Sequence, residues 1–84
     1  MTRYTVAWRD EALSELANIW VQTSDRGAVT QAVRSIDLGL SSDPNSKGDV
    51  YHEGLLVLLE PPLRILYEVR VEDRLARVLA VGLI

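Results

Sequence analysis

Residues 55–69 read LLVLLEPPLRILYEV, two aliphatic runs separated by Glu60, Pro61 and Pro62. Proline lacks a backbone donor and has a fixed φ, so a Pro-Pro pair belongs in a turn and not in a central strand. The stretch is therefore predicted to be a β-hairpin. Downstream, EDR (72–74) supplies a second turn and LARVLAVGL (75–83) a further strand, completing a three-strand meander. One arginine, Arg64, stands inside this apolar hairpin. Either it does chemistry, or it is a rim charge that reaches water beside Glu60 or Glu68.

Working outward, TRYTVAW (2–8) alternates, with Tyr4, Val6 and Trp8 on one side, which predicts a half-buried first strand. Asp10 and Glu11 then suit the first turn of a helix. Within it Leu13, Leu16, Ala17 and Trp20 fall at i, i+3, i+4 and i+7, a single stripe. That phase puts Trp20 in the core, where truncation to Ala is expected to cost about 3–5 kcal/mol. Ser24 or Asp25 is a candidate N-cap for a second helix, whose stripe is Val29, Ala32, Val33, Ile36 and Leu40. SSDPNSKGD (41–49) reads as the one long loop, since Pro44 cannot continue a helix and the rest are turn formers. The order is β-α-α-β-β-β. This predicts a single α+β domain over residues 1–84, a helical hairpin packed on a small antiparallel sheet.

Bulk chemistry narrows the function. The 84 residues carry a net charge of −3, and Lys47 is the only lysine. A phosphate-backbone binder usually has a basic excess, because its affinity comes from counterion release. No cysteine is present, which rules out disulfides and thiolate metal sites, and no cofactor or metal is expected. The start, MTRYTVAWRDEA, lacks an apolar signal region, and the longest apolar tail, VLAVGLI, is too short to span a bilayer. A cytoplasmic protein without membrane contact is the expectation.

Three places invite functional readings. Arg64 is a candidate catalytic cation. His52, the sole histidine, is a candidate acid–base group, weighed against an ordinary edge or loop histidine. Arg70, Arg74 and Arg77 cluster near the second turn, but Glu68, Glu72 and Asp73 are interspersed, which predicts a solvated, salt-bridged turn. The sheet itself is more informative. Leu55–Leu59 is aliphatic on both sides, and only one side can meet the helices. Leu55, Val57, Leu66 and Leu79, with Arg64 at the rim, are therefore predicted to form a partner-binding face.

The element order, with PPLRILYEV followed by EDRLARVLAVGL, resembles the RelE/ParE superfamily of type II toxin–antitoxin toxins. The matching positions are Arg64, Tyr67, Glu72 to Arg74, and Val81 with Gly82. The resemblance implies a bacterial protein of the plasmid-stabilisation type, with an antitoxin or a second copy docked on its sheet. In members of this family that cut mRNA on the ribosome, a basic cluster stabilises the transition state. Arg64 matches one arginine of that set. Leu55 and Val57 stand where two lysines would be, Ile84 stands at a second arginine, and the family's later tyrosine has no counterpart. A ribosome-dependent or free endoribonuclease relying on Arg64, with His52 as helper, is thereby disfavoured. The ParE-like branch lacks the basic cluster and acts by binding DNA gyrase. A non-toxic relative serving as an interaction module is the remaining alternative.

Overall fold

The computed structural model describes residues 3–84. Strand β1 (Thr5–Trp8) leads into helix α1 (Asp10–Gln22), then α2 (Arg26–Ser42) and a single turn of helix, α3 (Pro44–Lys47). Four strands follow: β2 (Asp49–His52), β3 (Leu55–Glu60), β4 (Leu63–Arg70) and β5 (Leu75–Leu83). The sheet order is β1-β5-β4-β3-β2. The predicted meander is present as β3-β4-β5, and Pro61 and Pro62 occupy the β3–β4 turn. The α+β class holds, with two additions. β1 runs parallel to β5, so the sheet is mixed and not wholly antiparallel. DVYH also forms an edge strand antiparallel to β3. Gly54, at φ 80°, turns the chain between β2 and β3 in a conformation that favours glycine.

The core lies between the helices and one sheet face. Leu63, Ile65 and Tyr67 of β4 and Ala76, Val78 and Val81 of β5 are buried there. From α2 they meet Val29, Ala32, Ile36 and Leu40, the stripe predicted from spacing. Asp25 caps α2, its Oδ1 accepting from the Ala28 N–H at 3.0 Å. Val6 and Trp8 pack against the core from β1, and Trp8 Nε1–H donates to Asp37 Oδ1 at 3.0 Å. The expected long loop 41–49 is not one: α2 runs to Ser42, Pro44 then opens α3, where a missing N–H costs nothing, and Asp49 begins β2.

Helix α1 corrects the sequence reading. Its inward residues are Ala12, Leu16 and Ile19, whereas Leu13 is 48% and Trp20 40% exposed. The two stripes share Leu16, so periodicity alone does not choose between them. Long-range ties do. Only Arg9 separates strand from helix, and its N–H is held by the Val78 carbonyl at 3.0 Å. Further along, Glu15 Oε1 accepts from the Val81 N–H at 3.0 Å, where β5 continues past the end of β1. These ties turn Ala12, a small residue, onto the sheet. Trp20 instead stacks with Arg26, whose guanidinium lies 5.8 Å from the ring centroid. Trp20→Ala is thus expected to cost only about 1 kcal/mol, against about 2–5 kcal/mol for Ile36→Ala. Thermal melts of the two variants check this, and similar losses would contradict the helix phase.

Candidate functional site

Among the described residues no helix covers the other sheet face. Register fixes what it carries. Val57, Leu66 and Ala80 form one cross-strand row, and Leu59, Arg64 and Gly82 form the next. β5 shifts register opposite Leu66–Tyr67, pairing Leu66 with Ala80 and Tyr67 with Val78. Leu79 is the extra residue of this bulge, set beside Ala80 opposite Leu66. Leu55, Val57, Leu66 and Leu79 are half-buried and Leu59 is 57% exposed. The face is apolar at its centre.

A cavity of about 500 Å³ opens on it, lined by Glu15, Tyr51, Val57, Arg64, Leu66, Ala80 and Gly82, with Ile65 and Val81 also contributing. Arg64 is exposed, and its guanidinium runs over Gly82, where an added Cβ would come within 3.9 Å of Nη2. Among the described residues Arg64 makes no ion pair. The expected pairing with Glu60 or Glu68 is absent; Glu68 Oε1 instead lies 3.3 Å from Arg77 Nη1 and 3.7 Å from Arg70 Nε. Those pairs are part of the predicted salt-bridged patch, set on β4 and β5, while among the described residues Arg74, Glu72 and Asp73 form no ion pair. Being partly exposed, the Glu68 pairs add little to stability.

The structure separates His52 from Arg64. His52 lies opposite Leu55 at the exposed end of β2 and does not line the cavity. Its neighbour Tyr51 does, because the β2–β3 register shifts between Val50 and His52. Glu15 also reaches the cavity rim from α1. Sequence spacing pointed to neither residue. Tyr51 depends on an irregularity in pairing and Glu15 on the helix phase, and both are tertiary facts. Among the described residues no group of three or more His, Asp or Glu could hold a metal ion.

Chemically, the cavity offers one cation, one carboxylate, one phenol and an aliphatic floor. That suits an apolar partner segment bearing one acidic group better than a polyphosphate. A nucleic-acid backbone needs several cations, whereas the described residues put one cation and one carboxylate on this cavity.

No protein-family model and no curated relative matches the sequence. Solved structures do. The whole chain superposes on 94% of a chain from the RelBE2 toxin–antitoxin complex of Mycobacterium tuberculosis, with a TM-score of 0.81 at 23% identity. It is similar over 98% of its length to 97% of a chain from the chromosomal ParDE system of P. aeruginosa, with a TM-score of 0.69 at 18% identity. It also matches the isolated RelE toxin of E. coli, with a TM-score of 0.68 at 18% identity, covering 95% of this chain and 83% of that one. The chain has the RelE/ParE toxin fold. Both branches share it, so what separates them must be read from the cavity.

Proposed function

We propose that this chain is a toxin-family protein of a type II toxin–antitoxin module that acts by binding a protein, in the manner of the ParE-like branch, and is neutralised by an antitoxin. The observation that carries this reading is the composition of the cavity, where among the described residues Arg64 is the single cation and the rest of the lining is aliphatic apart from Glu15 and Tyr51. Cleavage of RNA by its 2′-hydroxyl requires proton removal, stabilisation of charge at phosphorus and protonation of the leaving group. Arg64 serves the second task alone. The similarity to chains from toxin–antitoxin complexes supports an antitoxin partner. By analogy with the ParE branch the target is DNA gyrase. Such a module works in the bacterial cytoplasm, and no helix of the described residues is long and apolar enough to cross a membrane.

The outer sheet face is the docking surface in this proposal. Leu55, Val57, Leu66 and Leu79 give it area, and Arg64 orients an acidic residue of the partner. The experiment incubates purified protein with free RNA, with and without a chelator. The expected result is no specific cleavage. Cleavage that survives repurification and disappears in Arg64→Ala would overturn the reading in favour of a nuclease.

A further inference from the structure

Helix α1 has a second apolar stripe that the fold leaves in solvent. Leu13, Ala17, Trp20 and Val21 repeat at i, i+4, i+7 and i+8, roughly a third of a turn round the helix from the buried residues Ala12, Leu16 and Ile19. Val21 is 69% exposed, and the small residue Ala17 sits near the middle of the stripe. Asp10 extends the same side by one turn at the N-terminal end. At the C-terminal end lies Arg26, stacked on Trp20 and donating from Nε to the Trp20 carbonyl at 3.0 Å. Among the described residues, Asp10 and Arg26 form no ion pair, whereas Glu11 is taken by Arg9 at 2.9 Å.

This arrangement is self-complementary in one orientation. We propose that α1 is a homodimer interface, in which two copies of the chain pack their helices antiparallel across a two-fold axis at Ala17. The stripe then reads the same from both sides, as an isologous contact requires. Leu13 meets Trp20 and Val21 of the partner copy, and the small Ala17 side chains let the two axes approach closely. The charges choose the direction. Antiparallel packing brings Asp10 to Arg26 of the other copy, whereas parallel packing sets Asp10 against Asp10 and Arg26 against Arg26. The surface is separate from the cavity face, so a dimer leaves Arg64, Val57 and Leu66 free for the partner of the proposed function.

From Asp10 to Val21 the stripe is about 17 Å long. That places the contact at the small end of specific interfaces, in the weak and reversible class. Sedimentation equilibrium of the purified chain from about 5 to 500 μM is expected to show a monomer–dimer equilibrium, with a blue shift of Trp fluorescence as dimer forms. Ala17→Glu puts two carboxylates at the axis and is expected to weaken association at least tenfold, with an unchanged melting temperature. A second pair of variants remains decisive if Ala17→Glu does not fold. Arg26→Glu alone and Asp10→Arg alone are each expected to stay monomeric at 100 μM, while their equimolar mixture forms a heterodimer. A wild-type chain that is monomeric at 500 μM, or a mixture no more associated than its components, would overturn the proposal.

Discussion

Tyr67→Phe is expected to lower the melting temperature by roughly 8–16 °C, and Gly48→Ala by at least as much. Tyr67 is fully buried on β4, and its hydroxyl donates to the Pro44 carbonyl at 2.7 Å. One phenol thus ties α3 onto the sheet. Removing it leaves the Pro44 carbonyl, a buried acceptor, without its donor, a loss of about 2 kcal/mol, and each kcal/mol is worth roughly 4–8 °C in a domain of this size. Gly48 is the counterpart of this clamp. A Cβ there would lie 2.6 Å from Tyr67 Oη and 2.8 Å from the Val57 carbonyl oxygen, and the second obstacle is backbone. The double variant should lose somewhat less than the sum, because Phe removes the Oη contact while the ring Cε1 at 2.9 Å and the Val57 carbonyl still obstruct the Cβ.

The same tyrosine sets a pH limit. Burial pushes its phenol above the ordinary value near 10, with Asp43 and Asp49 adding to the rise and the Gly48 N–H opposing it. A folded-state pKa above the unfolded one means that the unfolded chain loses this proton first as pH rises. The contribution is intact below about pH 10 and declines as pH climbs from there through the folded value. Denaturant melts between pH 8 and 11 should therefore show a steeper alkaline loss in the wild type than in Tyr67→Phe. Parallel pH profiles would contradict the clamp.

The second large effect is on binding. Leu66→Asp, and separately Val57→Asp, should weaken antitoxin binding at least a hundredfold while the chain remains folded. These residues are cross-strand partners at the centre of the open face, both lining the cavity beside Arg64. An aspartate there puts a desolvation cost under the partner and opposes the acidic group that Arg64 would receive. Both sites are half-buried on the outer face, so a modest stability loss of about 1 kcal/mol is expected from strand preference alone. Arg64→Ala, at the edge of the same patch, should act mainly on the association rate and its salt dependence. Binding that is unchanged in a folded Leu66→Asp chain would move the interface off this sheet face.

Much of the fold was legible because its signals are local. The Pro61–Pro62 turn, the stripe of α2 and the alternation of β1 each announce themselves within ten or so residues. What was hidden depends on contacts far apart in the chain. DVYH reads as loop because it is short and exposed, and it becomes a strand only by pairing with β3. The phase of α1 rests on Glu15 meeting Val81 and Arg9 meeting Val78. The expectation that each helix has a single apolar stripe failed with it, since α1 has one stripe inside and another outside. At the cavity, Arg64 and the aliphatic floor were visible in the alternation of β3 and β4. Glu15 and Tyr51, which decide its electrostatics and its rim, became visible only with the tertiary fold.

The claim at the centre of this account is that the chain works by holding a protein and not by cutting RNA. Inducing the isolated gene in a bacterial host and scoring growth, mRNA 5′ ends and plasmid supercoiling in the same culture tests it most directly. The expected result is growth arrest relieved by the antitoxin, altered supercoiling and no new mRNA ends. New mRNA ends that vanish in Arg64→Ala, with supercoiling unchanged, would contradict it.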